Sequence, residues 1–223
     1  QSINEQDIWA RMSIQLQHNH FFSGTLRENL QLAKPTATDE ELQQVLDQVF
    51  IAKPLSTIVY EKGGNLSGGE KQRLSFARVL LKNSDIWLLD EPFTSVDPQT
   101  EAHLFNTLLT KGAHKTIVLI THKLTDLAKM DRILVMDHGN LVESGTFEQL
   151  LTKRGLFYTM YVQQIYIASE IESPTIPPDS LENKAKQMAD LLKLKNLSED
   201  IDCLYEKILK TEAENHLKKQ IRL

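Results

Sequence analysis

Cysteine is nearly absent from this chain. Cys203 stands alone among 223 residues, so no internal disulfide can form, and the chain suits a reducing compartment. Long apolar runs are missing too: no stretch approaches the roughly 20 residues that span a bilayer, and no signal-peptide pattern opens the sequence. Nor is there a surplus of positive charge. A net charge of -5 gives no general attraction to a phosphate backbone, which argues against nucleic acid as a partner. What remains is ordinary soluble composition, 41% hydrophobic and 25% charged, with enough chain for one sizeable domain or for a medium domain plus an appendage.

The patterning divides the chain. "MSIQLQHNHFFSG" predicts a short strand that breaks into a loop near Gln17, and "TLRENLQLA" has helical spacing stopped by Pro35. "TATDEELQQVLDQVF" restarts a helix with Thr38 as N-cap and Glu41 three residues on, a capping box with Leu42, Val45, Leu46 and Val49 on one face. From Ile86 the pattern alternates. "IWLLD" and "TIVLIT" lack polar alternation and predict strands buried on both faces, with a helix over Gln99–Leu109 between them. That strand–helix–strand unit predicts a parallel crossover and a layered α/β sheet. A short helix over Lys123–Lys129 and two strands turning at His138-Gly139-Asn140 follow. "ESPTIPPDS" then reads as a linker within 166–180, and 181–223 as two helices, each with one apolar stripe.

The residue types that carry chemistry lie between Asn65 and Asp97. In "LSGGE", Ser67 offers a hydroxyl, and Gly68 and Gly69 let backbone N–H groups approach an anion with no Cβ in the way. A helix starting at about Glu70 would aim its positive end at the same spot. "IWLLDE" sets Asp90 and Glu91 at the carboxyl end of a strand, where open α/β sheets bind ligands. Asp90 suits Mg²⁺, which favours one or two carboxylates completed by phosphate oxygens and water. Glu91 suits a general base toward an attacking water. His18, Asn19 and His20 have no cysteine or carboxylate cluster beside them and read as polar loop groups.

These motifs resemble the ATP-binding cassette (ABC) ATPases across residues 1 to about 164. Leu66–Glu70 matches the family's signature, Ile86–Glu91 its Walker B strand with the catalytic glutamate, and "SVD" (Ser95–Asp97) its D-loop. His122 matches the switch histidine and Gln17 the Q-loop glutamine. The resemblance implies a partial P-loop NTPase fold, α/β, over 1–165, with a helical subdomain at about 25–82 and an α-helical tail. It implies ATP and Mg²⁺ as cofactors. Glu91 and His122 would be catalytic, Asp90 and Gln17 would hold the metal, and Gln17, Ser67, Gly68, Gly69, Glu70 and Asp97 would bind nucleotide.

One family element is missing from the sequence. No G-x-x-x-x-G-K-[ST] occurs, and "GNLSGGEK" puts Glu70 where the lysine is needed. Since the family's Walker A loop precedes its Q-loop, and the chain opens on Gln1, the expectation is the downstream part of a nucleotide-binding domain. In the family, two such domains pack head to tail. Ser67–Glu70 would then touch ATP held by a partner domain, while Gln17, Asp90, Glu91 and His122 would serve ATP on this domain's own Walker A. "FFSGTLREN" and "YEKGGNLSGGE" are similar to exporter-type domains, in which the segment near Tyr60–Gly63 meets the transmembrane domain. "QLAKPTATDEELQQVLDQV" is similar to heterodimeric exporters of cysteine and glutathione. The implied partners are a second nucleotide-binding domain and an exporter's transmembrane domain, at the cytoplasmic face of the cell membrane.

Two other functions fit parts of the pattern. A non-hydrolytic subunit could present LSGGE to another subunit's ATP; having both Glu91 and His122 argues against a site designed to be dead. An SMC or DNA-repair lobe also carries LSGGEK, but its Q-loop lies on the other lobe, and no heptad run leads into the signature here. The tail reads as a helical hairpin packing on the domain or its copy, or as a regulatory appendage.

Overall fold

A computed structural model of the protein describes residues 5–17 and 19–172, with side chains from 7 to 165. His18, the linker beyond 172 and the expected helical tail lie outside the described residues. The chain divides into two compact units at Leu124 and Thr125.

The first unit opens with α1 (Glu5–Ala10), β1 (Met12–Gln15), β2 (Gly24–Thr25), α2 (Leu26–Gln31), α3 (Asp39–Gln48) and β3 (Ile58–Val59). It continues through α4 (Gly68–Lys82), β4 (Ile86–Asp90), α5 (Pro98–Lys111) and β5 (Thr116–Ile120). The helix starts follow from local chemistry. Thr25 with Glu28 and Thr38 with Glu41 each close a reciprocal capping box, their side-chain oxygens accepting from backbone N–H groups that the first turn leaves without partners. Leu42, Val45 and Leu46 on α3 are buried, and α3 packs against α4. β2 and β3 form a minimal antiparallel ladder, Gly24 opposite Val59 and Thr25 opposite Ile58.

β1, β4 and β5 form a parallel sheet in the order β1-β4-β5. The crossover from β4 through α5 to β5 is the expected strand–helix–strand unit. Burial departs from expectation. On β4 only Trp87 and Leu89 are fully enclosed, and Ile86 and Leu88 are partly exposed. On β5, Thr116, Val118 and Ile120 face outward, Val118 at 46% and Ile120 at 52% exposure. The sequence reads "TIVLIT" as buried on both faces, whereas β5 is an edge: among the described residues no strand pairs with its far side.

Arg78 fastens the loop after β1 to α4. Its Nε donates to the Asn29 carbonyl at 2.9 Å, Nη2 to Asn29 Oδ1 at 2.8 Å and Nη1 to the His20 carbonyl at 2.7 Å. The guanidinium carbon lies 4.6 Å from the Phe21 ring centroid, and burial lowers the group's pKa to about 10. Asn29 in turn accepts from the Phe22 N–H and donates to the Phe22 carbonyl. One planar cation thus organises the loop exit that leads into β2.

The second unit contains a 3₁₀ turn at Thr125–Lys129, β6 (Ile133–Asp137), β7 (Asn140–Gly145), α6 (Phe147–Lys153) and α7 (Leu156–Glu172). β6 and β7 make the expected hairpin. His138 and Gly139 both have positive φ (45° and 79°), the backbone of a two-residue primed turn. Glu143 is a buried carboxylate that accepts from the Leu156 and Phe157 N–H groups at 3.1 and 3.0 Å, capping α7. The helix continues through 166–172, residues read from the sequence as linker.

Replacing Arg78 with Met should destabilise the fold by about 2–4 kcal/mol, because charged hydrogen bonds are lost and buried acceptors are left unmet. Arg78→Lys should recover only part, since one ammonium cannot span acceptors on both His20 and Asn29. Urea unfolding of the three proteins measures this.

Candidate functional site

The parallel register decides where the sequence-marked residues fall. Gln15 of β1 lies opposite Leu89, Leu89 opposite Leu119, and Asp90 opposite Ile120. The strands therefore end at one carboxyl edge. Gln17 follows β1 by two residues, Glu91 follows β4 directly, and His122 follows β5 by two. Four of the expected residues, Gln17, Asp90, Glu91 and His122, are thus gathered at that edge from sequence positions up to 105 apart.

At the end of β4 the chain turns sharply. Glu91 has φ 45°, in the left-handed region that non-glycine residues seldom occupy, and its N–H donates to the Ile120 carbonyl at 2.9 Å. The turn brings Glu91 Oε1 within 3.1 Å of His122 Nδ1. A carboxylate in contact with an imidazole is suited to accepting a proton from a positioned water, the histidine fixing its orientation. Beyond His122, Lys123 Nζ pairs with Glu101 Oε2 at 2.9 Å and joins this loop to α5.

The signature segment is built by a third capping box. α4 begins at Gly68, earlier than the expected start at about Glu70, with Ser67 as its N-cap. Ser67 Oγ accepts from the Glu70 N–H at 3.2 Å, and Glu70 Oε2 accepts from the Ser67 N–H at 2.9 Å. The other carboxylate oxygen of Glu70 meets Lys53 Nζ at 2.5 Å. Partial burial is the largest single influence on Glu70 and pushes its pKa up, but the Lys53 and Ser67 hydrogen bonds together outweigh it and hold the carboxyl below its ordinary value. Glu70 thus shapes and charges the start of α4, with its own oxygens engaged inside the chain.

Gly68 and Gly69 lie under Ser95. A Cβ on Gly69 would come 2.8 Å from the Ser95 carbonyl oxygen, and one on Gly68 3.2 Å from Ser95 Cβ. Glycine is needed here for close approach to the chain's own backbone, as well as for leaving N–H groups open. Asp97 is the N-cap of α5 and accepts from the Thr100 N–H at 3.0 Å, a bond that holds its carboxyl below the usual range.

Residues not singled out from the sequence join these pieces: Gln15, Gln72 and Thr94, with Gln72 also holding the N–H of Ser95. A signal did exist. Gln72 sits on α4 at helical spacing with the buried Ser75, Phe76 and Val79, and a polar side chain in such a stripe needs a buried partner.

With this geometry in place, comparison with known proteins becomes decisive. Residues 1–94 match the family model described as ABC transporter. The chain belongs to the ABC transporter ATP-binding family. The glutathione/L-cysteine transport system ATP-binding/permease protein CydC of Escherichia coli is 39% identical over 162 residues, covering 70% of this chain and 28% of that protein. The β-(1→2)glucan export ATP-binding/permease protein NdvA of Bartonella bacilliformis is 36% identical over 166 residues, 71% of this chain and 28% of its own length. Among solved structures, a bacterial Atm1-family ABC exporter with ATP bound superposes with a TM-score of 0.69 at 33% identity, covering 73% of this chain and 30% of that one. The chain spans less than a third of the length of these relatives. The α/β fold with its parallel sheet is that of the P-loop NTPases.

The two glycines should respond differently to alanine. Gly69→Ala must displace the Ser95 carbonyl and should cost about 1–3 kcal/mol, whereas Gly68→Ala meets Ser95 Cβ at 3.2 Å, needs a smaller shift and should cost less than about 1 kcal/mol. Denaturant melts of both variants measure the difference.

Acid should expose the Glu70 cap. Its pKa is lower folded than unfolded, so its stabilising contribution is complete above the ordinary glutamate value and is lost as pH falls through the lowered one. Lys53→Met should shift that loss to higher pH, and thermal melts across the acid range measure it.

Proposed function

We propose that this chain forms the downstream part of the nucleotide-binding domain of an ABC exporter, where ATP binding and hydrolysis drive substrate across a membrane. The observation that carries the reading is the Glu91–His122 contact at the carboxyl edge of the parallel sheet, beside Asp90 and Gln17. Asp90 and Gln17 would hold Mg²⁺. Asp90 is a partly exposed carboxylate at a strand end, and no cluster of three or more His, Cys, Asp or Glu stands among the described residues, so a cation here would draw further ligands from phosphate and water. Mg²⁺ would supply charge neutralisation on the phosphates. Glu91 takes the proton of the attacking water, and His122 orients Glu91 and faces the terminal phosphate. The phosphate-gripping loop comes from sequence outside these 223 residues, none of which form a G-x-x-x-x-G-K-[ST].

Ser67, Gly68 and Gly69 at the start of α4, with Asp97 on the neighbouring turn, serve ATP held by a second nucleotide-binding domain. Head-to-tail pairing puts this signature and the partner's Walker A on one nucleotide. The transmembrane domain docks where Phe22, Ile58 and Tyr60 are exposed around the β2–β3 ladder, a patch drawn together by the Lys62 N–H donating to the Phe21 carbonyl at 2.9 Å. No described helix is long and apolar enough to cross a membrane, so in this reading the domain meets the membrane through that partner, at its cytoplasmic face. The matched relatives are named for different cargoes, glutathione and L-cysteine in one and β-(1→2)glucan in another.

In the intact protein, Glu91→Gln should lower the ATP hydrolysis rate at least about 10²-fold while nucleotide binding persists. The 223-residue chain by itself should show no Glu91-dependent hydrolysis, because the main phosphate grip is elsewhere. Phosphate release from the wild-type and Glu91→Gln intact protein, and from the isolated chain, tests both. Wild-type turnover in the Glu91→Gln protein would overturn the assignment.

A further inference from the structure

We propose that Gln72, held from behind by Gln15, is a positioning residue that fixes the Glu91 turn and the signature glycines to one another. Gln72 is only 7% exposed, on the second turn of α4. Its side-chain amide is fully used. Nε2 donates to Thr94 Oγ1 at 2.7 Å and to the Glu91 carbonyl at 3.4 Å, and Oε1 accepts from the Ser95 N–H at 2.7 Å. Thr94 Oγ1 passes its own hydrogen to the Glu91 carbonyl at 3.4 Å. From β1, Gln15 Nε2 donates both to the Gln72 carbonyl at 3.3 Å and to the Pro92 carbonyl at 3.0 Å. Phe93 completes the turn, its ring edge-on to Phe76 of α4 with centroids 5.0 Å apart. Every residue from Glu91 to Ser95 is therefore tied to α4 or β1.

The other half of the linkage is steric. Ser95, whose N–H Gln72 holds, is the residue against which Gly68 and Gly69 lie with no room for a Cβ at Gly69. The Glu91 turn and the start of α4 are thus locked through one residue pair, Gln72 and Ser95. Few side chains can do this. Binding Thr94 and Glu91 needs two N–H donors and binding Ser95 needs one acceptor, and glutamine has both at this reach; glutamate lacks the donors and methionine lacks everything polar. The left-handed Glu91 backbone makes the lock consequential. That conformation is unfavourable by itself and persists where surrounding bonds over-determine it. Gln72 supplies one such bond at the Glu91 carbonyl. It also has a directional consequence under the proposed function, on which this inference rests: Glu91 acts at this domain's ATP and the signature at the partner's, so Gln72 makes one rigid piece of groups that serve two nucleotides.

The test uses the intact transporter containing this chain, with Gln72→Met, Thr94→Val, Thr94→Ser and Glu91→Gln. Steady-state ATP hydrolysis gives kcat and KM, and a thermal melt reports folding. Gln72→Met and Thr94→Val should each lower kcat about tenfold, the effect of losing one or two hydrogen bonds that position Glu91, with KM for ATP changed less than about threefold. Thr94 is exposed and Gln72 keeps its bonds to Glu91 and Ser95, so Thr94→Val should melt no more than about 5 °C below wild type, and Thr94→Ser should restore kcat by restoring the hydroxyl. If Thr94→Val keeps wild-type kcat, or loses it only in step with its melting temperature, the positioning role is overturned, whatever Gln72→Met does to folding. If the wild type itself shows no hydrolysis that Glu91→Gln removes, the proposed function falls, and this inference with it.

Discussion

The register of three parallel strands sets most of what this molecule can do. Because β1, β4 and β5 end together, a glutamine, two carboxylates and a histidine that are far apart in sequence arrive at one edge without any long side-chain reach. The left-handed turn at Glu91 follows from the same constraint, since the chain must leave β4 abruptly to start the loop toward α5. Its N–H is held by the neighbouring strand, through the Ile120 carbonyl, and its carboxylate meets the histidine that follows that strand. Slipping the register of β5 by one residue would move His122 along the edge and break both contacts.

The helices answer to a different, local rule. Four starts, at Thr25, Thr38, Ser67 and Thr146, carry a reciprocal capping box, and Asp97 caps a fifth helix. Repeated use of one device explains why element starts are sharp in a chain with few prolines and glycines. At Ser67 the device has a second consequence. The hydroxyl and glycines that could cradle a phosphate are the same groups that begin α4, so anion binding and helix geometry cannot be altered separately.

Some of this was legible in the sequence and some was not, for reasons visible at particular residues. Thr38 with Glu41 announced α3 because a capping box is a three-residue spacing. His138-Gly139 announced a hairpin because a two-residue turn needs positive φ. The roles expected of Glu91 and His122 were named from motif and order, and their contact required the sheet. "TIVLIT" reads as buried on both faces yet forms an edge strand, because an apolar run signals that a strand will form and says nothing of how many neighbours it will have. Gln72 carries no short-range signal for its role, since its partners lie 19 to 23 residues away and two of the three act through backbone atoms, which no side-chain pattern records.

By itself the sequence determined the family, the helix starts, the parallel crossover and the identity of the groups at the carboxyl edge, since each depends on residue type and short spacing. Only the tertiary structure decided that Glu70 spends its charge on Lys53 and its own helix, and that Gly69 is glycine because Ser95 lies against it. The same holds for a buried glutamine tying the Glu91 turn to the start of α4. Those facts depend on which distant backbone atoms come within about 3 Å of one another, a distance fixed by packing rather than by order along the chain.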